Sequence, residues 1–198
     1  IGRPTRSIQS SELGTLTTTA DYLSGGVKRV TDPKGIPTTS WYQAFDQPGF
    51  DTVVKVEAPE GVTQTTERDI FGNPHSITQG SVGGVPLTKT MTYDSEYRLC
   101  RTWEPESGSE IMAYDGADNL AWSVAGASFN LAEQCGQEQV AEAAKTIRSY
   151  DAMNRVTSIV YPTGTEPSTF AYDPLGNPGA ATSGMVSWTY GRNKLGLL

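Results

Sequence analysis

Tyr172-Asp173-Pro174-Leu175-Gly176-Asn177 reads as the connection of a β-hairpin. An Asp that opens a type I turn accepts a hydrogen bond from the backbone two residues on. A Gly three residues later supplies the left-handed conformation that closes the hairpin with a bulge. Asp173 and Gly176 fill these roles, and Pro174 presets φ at the second turn position. Phe170 and Tyr172 are two apart, so they share one face of the strand that feeds the turn, and that face is predicted to be buried.

The same punctuation recurs on either side of this stretch. Copies start at Tyr150-Asp151, Tyr114-Asp115 and Tyr93-Asp94. Weaker ones are Arg68-Asp69-Ile70-Phe71-Gly72-Asn73 and Phe45-Asp46-Gln47-Pro48-Gly49. From the first copy to the last the intervals are 23, 25, 21, 36 and 22 residues. A near-constant period of this size marks a repeat architecture, whose units are too small to bury an apolar face alone and must stack on their neighbours. Met112 with Tyr114 and Met91 with Tyr93 repeat the two-residue pairing. Between the Asp turns lie others, Pro59-Glu60-Gly61, Pro105-Glu106-Ser107-Gly108 and Pro162-Thr163-Gly164. Each repeat is therefore predicted to hold two strands in a running antiparallel meander.

The turn residues singled out are Phe45, Asp46 and Gly49; Asp69 and Gly72; Tyr93 and Asp94; Tyr114 and Asp115; Tyr150 and Asp151; and Tyr172, Asp173 and Gly176. Asp118 and Asn154 stand where the turn Gly belongs and tolerate its conformation, whereas Tyr97 does not, so the turn after Tyr93 is predicted to be distorted. Pro48 at the third turn position points to a different turn type in the Phe45 copy.

The longest interval breaks the β rhythm. Gln137 to Arg148 is rich in helix formers and places Val140, Ala143, Ala144 and Ile147 on one helical face, which predicts a short helical insertion near 137–148. Composition fits a sheet protein with a modest core: Gly 21, Pro 12 and 36% apolar residues. The fold class expected is all-β, an antiparallel hairpin meander forming a curved sheet. Residues 1–29 hold N-terminal strands with no repeat assignment, and 30–198 form the repeat region, with the insertion at about 127–148.

A net charge of -7 and a pI near 4.7 argue against nucleic acid as a partner, because 15 basic residues are scattered among 22 acidic ones. No apolar run is long enough for a membrane span, and no cationic, apolar leader is present. His75 is the sole histidine and lacks a Gly-x-Ser-x-Gly elbow, so no catalytic residue is expected. No metal-ligand spacing and no phosphate loop occurs, and neither metal nor cofactor is expected. Gly80-Ser81-Val82-Gly83-Gly84 reads as a hairpin loop, and Asp115 with Asp118 as turn carboxylates. Cys100 reads as a small buried hydrophobe in a strand, and whether it pairs with Cys135 stays open.

Tyr150-Asp151-Ala152-Met153-Asn154-Arg155-Val156, Tyr172 to Pro178 and the closing Trp188-Thr189-Tyr190-Gly191-Arg192-Asn193 resemble the YD-repeat, or Rhs-repeat, family. Its signature is Tyr-Asp-x-x-Gly followed by Arg or Asn, then an apolar residue and a strand. The family includes bacterial Rhs proteins and toxin-complex C components, with teneurins as distant relatives. The resemblance implies a sheet wound into a hollow shell around a C-terminal toxin or unfolded cargo, exported from a bacterium to the outside or the cell surface. The partners implied are the remainder of a parent chain and the enclosed cargo. Asp173-Pro174-Leu175-Gly176 and Asp32-Pro33-Lys34-Gly35 look only superficially like the family's autoprotease motif, since a repeat turn accounts for Asp173 to Gly176. Ile1 and the closing Gly196-Leu197-Leu198 read as cut ends, which predicts open sheet edges and self-association through them. The competing reading is an extracellular carbohydrate- or receptor-binding module built on Trp41, Tyr42, Trp103, Trp122 and Trp188. Solvent exposure of the tryptophans separates the two readings.

Overall fold

The computed structural model describes residues 2–12, 14–44, 48–128, 134–162 and 164–192. Its sixteen strands are hydrogen-bonded in chain order in one antiparallel sheet. The chain falls into two units, Ile1–Met91 and Thr92–Leu198.

The first unit holds β1 (Arg6–Ser11), β2 (Gly14–Leu23), β3 (Val27–Thr31), β4 (Pro37–Ala44), β5 (Pro48–Glu57), β6 (Thr63–Arg68) and β7 (Pro74–Gly80), and most of β8 (Leu87–Tyr93). Hydroxyl and amide side chains meet across its strands. Thr78 and Thr88 hydroxyls lie 2.9 Å apart, and Gln79 donates to Gln64 at 3.0 Å. β-Branched Thr suits the pleated surface and pairs with its cross-strand neighbour. Near β2, β4 and β5 the rings of Tyr22 and Tyr42 pack edge-on against Phe50, at 5.1 and 5.0 Å between centroids. The Arg3 guanidinium covers Phe50 at 4.4 Å.

The second unit holds the end of β8, then β9 (Leu99–Glu104), β10 (Gly108–Tyr114), β11 (Leu120–Ala127), β12 (Thr146–Tyr150), β13 (Val156–Val160), β14 (Ser168–Tyr172), β15 (Pro178–Ser183) and β16 (Val186–Thr189). Exposure alternates along β12 and β14, the period expected of a half-covered strand. Phe170 is half-buried between exposed Thr169 and Ala171, and Tyr172, just beyond Ala171, is half-buried too. On β10 both faces are covered: Ser109 and Ile111 are fully buried on one, while Met112 and Tyr114 are half-buried on the other.

The covering on the Met112 face comes from the long interval, and it takes a different form from the predicted helix. Gln137–Gln139 and Glu142–Ala144 form two single 3-10 turns, and Thr146 already belongs to β12. Gly136 sits in the left-handed region, and Val140, Ala141 and Lys145 are extended, so no turn propagates into the next. A helix of a dozen residues is marginal without a packed face. Here Ile147 is drawn into the ladder instead, between Trp122 and Val160.

Cys100 and Cys135 are joined, with Cα atoms 5.3 Å apart. The register sets Arg101 opposite Ile111, so Cys100 points to the Met112 face, where the bond ties down the segment after residue 134. Gln137 Nε2 donates to the Met112 carbonyl at 2.6 Å beside it. Cys100 is buried as expected, but as half of a cross-link.

Candidate functional site: the aspartate turns

Asp69, Asp94, Asp115, Asp151 and Asp173 share one geometry. In each, the Asp N–H donates to the carbonyl four residues on, at 2.9 Å, and the residue three on donates back to the Asp carbonyl. One carboxylate oxygen, Oδ1, accepts from the backbone N–H groups two and four residues on. At Asp173 the donors are Leu175 and Asn177, both at 2.9 Å; at Asp151 they are Met153 and Arg155. The other oxygen, Oδ2, takes the side chain at the fourth position: Asn73, Asn119 and Asn177 through Nδ2 at 3.1 Å, Arg98 and Arg155 through Nε at 2.9 and 2.8 Å. A carboxylate held by donors at both oxygens acts as a structural clamp on its turn.

These contacts hold the carboxyls below the usual carboxylate range. The Arg155 side chain is the largest cause at Asp151, the Asn119 side chain at Asp115 and the Asn177 backbone N–H at Asp173. At Asp69 and Asp94 burial is the largest influence and acts upward. The combined bonds from Asn73 and its neighbours, and from Arg98 and Glu96, outweigh it.

The third position takes the left-handed conformation in every case: Gly72, Tyr97, Asp118, Asn154 and Gly176 have φ of 90°, 62°, 63°, 58° and 87°. The turn after Tyr93 therefore keeps the common geometry and is not distorted. A left-handed L-residue costs roughly 1–2 kcal/mol. At Tyr97 the surrounding bonds over-determine the turn: Asp94 is held by two backbone donors and by Arg98, which also pairs with Glu96.

Two features join successive turns of the second unit. Arg98 reaches from its own turn to Asp118 Oδ1 in the next, at 2.7 Å, and Asn119 reaches on to Asn154 Oδ1 at 3.1 Å. The residues that replace Gly thus act as acceptors for the turn before. The repeat tyrosines supply the second link. Tyr114, Tyr150 and Tyr172 donate their hydroxyls to the carbonyls of Leu99, Leu120 and Val156, at 2.8, 3.0 and 2.8 Å. Each acceptor is the residue five after the preceding turn Asp. The Arg98 and Arg155 guanidiniums lie over the rings of Tyr114 and Tyr172 at 4.9 and 4.4 Å. Burial raises the Tyr114 phenol above its ordinary range, and the Asp94 charge adds to this, so it remains a donor.

Phe45 and Asp46 lie outside the described residues, and Gly49 lies within β5 instead of at a turn. Tyr93 ends β8 and leads into the Asp94 turn. A sixth Asp turn, at Asp32, was not among the expected repeats. Asp32 Oδ1 accepts from Lys34 and Ile36 N–H at 2.8 Å, and Gly35 has φ 82°. Its Asp-Pro-x-Gly spelling, identical to that at Asp173, was the available signal. Thr31 in place of an aromatic hid it. Gly108, in the Pro105 turn, has φ 81°, and a Cβ there would lie 2.7 Å from the Ala127 carbonyl oxygen. Among the described residues no group of three or more His, Cys, Asp or Glu side chains is placed to hold a metal ion, and no helix is long and apolar enough to cross a membrane.

No protein-family model matches the chain. No curated protein sequence matches it either. Solved structures do. A chain of the Photorhabdus luminescens Tc holotoxin pore superposes with a TM-score of 0.61 at 14% identity, over 85% of this chain and 9% of that one. The chain shares the fold of a stretch of this Tc toxin chain. Chains in the crystal structures of TcdB2-TccC3-Cdc42 and TcdB2-TccC3 match over 97% of this chain and 12% of theirs, with TM-scores of 0.58 and 0.57 at 12% and 13% identity. This chain thus spans about a tenth of the length of the Tc chains it resembles.

Proposed function

We propose that this chain is a YD-repeat wall segment of an encapsulating shell, exported by a bacterium, that keeps a C-terminal toxin or unfolded cargo sequestered until delivery. The observation that carries this reading is the cross-linked row of turns. In the second unit Arg98, Asn119 and the hydroxyls of Tyr114, Tyr150 and Tyr172 bond to neighbouring repeats, and the turn carboxylates are engaged by their own turns. Such residues build a wall, and the likeness to Tc components supports reading the wall as part of a toxin complex. β1 and β16 are exposed along their whole lengths, which suits edges that continue into the rest of a parent chain or meet another copy.

The tryptophans do not favour the binding-module reading. Trp41, Trp103 and Trp122 are half-buried, and Trp122 is covered by the Lys145 ammonium at 4.3 Å; only Trp188, 47% exposed, resembles a platform. Limited proteolysis of the parent polypeptide tests the shell. The region following this segment should resist protease while the segment is intact and become sensitive once Arg98→Ala and Asn119→Ala break the turn-to-turn bonds. Equal digestion with and without those substitutions would overturn the proposal.

A further inference from the structure

Residues 134–145 lie on the Met112 face without joining the ladder, since pairing with β11 begins only at Thr146. Their backbone bonds stay within the segment: the N–H groups of Gln139, Val140, Ala144 and Lys145 donate to the carbonyls of Gly136, Gln137, Ala141 and Glu142. Among the described residues three specific interactions hold this strap to the sheet. They are the Cys100–Cys135 bond, the Gln137 amide on the Met112 carbonyl at 2.6 Å, and the Lys145 ammonium over the Trp122 ring at 4.3 Å. Only the first is covalent, so it decides whether the strap stays down.

The two cysteines are not equivalent. Cys100 is fully buried in β9, whereas Cys135 is half-buried on the strap. Thiol exchange requires a thiolate to reach one of the two sulfurs, and Cys135 is the side open to it. Cys100 Sγ lies 3.3 Å from the Thr92 carbonyl oxygen in β8. Once released as a thiol it has an acceptor already in place.

We propose that Cys100–Cys135 is a redox latch, which a dithiol reductant opens in the folded chain to free residues 134–145 and uncover the Met112 face. The reductant's thiolate attacks Cys135 Sγ, the S–S bond breaks, and its electron pair leaves with Cys100 Sγ, which takes up a proton from solvent. The reductant's second thiol, as a thiolate, then displaces Cys135 from the mixed disulfide, and Cys135 is protonated in turn. The reductant ends as a disulfide, having given two electrons, and the protein as two thiols. β9, β10 and β11 keep their ladder, because none of their pairings runs through the strap. The input is a change from an oxidising to a reducing compartment, and nothing in it depends on the shell reading.

Dithiothreitol added to the whole oxidised chain tests it, with iodoacetamide trapping and mass spectrometry. Reduction should run at the same rate in water and in urea below the unfolding transition, because the folded strap is the target. Glutathione in place of the dithiol should be trapped as a mixed disulfide on Cys135. With the freed thiols alkylated, Met112 should gain sulfoxide in dilute peroxide about threefold or more faster than in the latched chain. Met153, 69% exposed, is the reference whose rate should not change. Amides of β10 and β11 should stay protected from exchange in both forms. Reduction that accelerates in step with urea unfolding, glutathione on Cys100, equal Met112 oxidation in the two forms, or loss of β10 and β11 protection on reduction would overturn the latch.

Discussion

The two units are made of the same hairpin and hold it together differently. The second unit carries four Asp turns, at Asp94, Asp115, Asp151 and Asp173, and the meander brings all four to one end of its strands. In the first unit the described Asp turns number two, Asp32 between β3 and β4 and Asp69 between β6 and β7, and strand alternation sends them to opposite ends. Asp32 thus lies at the end of the first unit's strands where Pro59-Glu60-Gly61 joins β5 to β6. Its fourth position is Ile36, which has no side-chain donor to offer the carboxylate. In place of turn-to-turn bonds this region has a cluster of aromatic rings and cations around Tyr22, Phe50 and Arg3. The comparison teaches that hairpins join into a ladder where the fourth turn residue finds an acceptor in the next turn, as Arg98 does at Asp118 and Asn119 at Asn154.

The largest expected break in that contrast is at the disulfide, which exists in the second unit alone. Cross-linking residues 35 apart restricts the unfolded chain by about 3–4 kcal/mol on the chain-entropy account. Cys100→Ala with Cys135→Ala should lower the stability of the second unit by about that amount, with hydrogen exchange of β2–β4 unchanged. Equal loss of protection in both units would show that they unfold as one.

A smaller effect separates the tyrosines. Tyr114→Phe removes a part-buried 2.8 Å bond to Leu99 and should cost about 1 kcal/mol in denaturant unfolding. Tyr22→Phe, which loses an exposed 3.3 Å bond to Pro4, should cost less than about 0.5 kcal/mol. Equal costs would remove the distinction between a repeat link and a surface contact.

The smallest effect is with acid. Because the clamped carboxyls titrate lower in the folded chain than in the unfolded one, the stability they add is fully present above the unfolded value, about pH 4, and is lost as pH falls through the folded one. Four of these five carboxyls lie in the second unit. Its exchange protection should therefore fall more steeply than the first unit's between about pH 4 and pH 2, and parallel curves would contradict the clamp.

The hairpins were legible because the turn chemistry is local: Asp173 and Gly176 specify their geometry within six residues of sequence. What escaped was set at longer range. Tyr97 was read by its own φ preference, whereas Arg98 and Asp94 decide it. Gln137–Arg148 has helical periodicity, but the Cys135 link and the pairing of Ile147 override it. Asp118 and Asn154 could be recognised as tolerating a left-handed turn. Their service as acceptors for Arg98 and Asn119 depends on contacts 20 and 35 residues apart.

The tyrosine links also have a direction in time. Leu99 precedes Tyr114, Leu120 precedes Tyr150 and Val156 precedes Tyr172, so each lock is closed by a residue synthesised after its keyhole. A chain leaving the ribosome can therefore zip up from its N-terminus as each hairpin emerges. A misread repeat would stall that zipper at its own position, leaving the hairpins already made in place behind it.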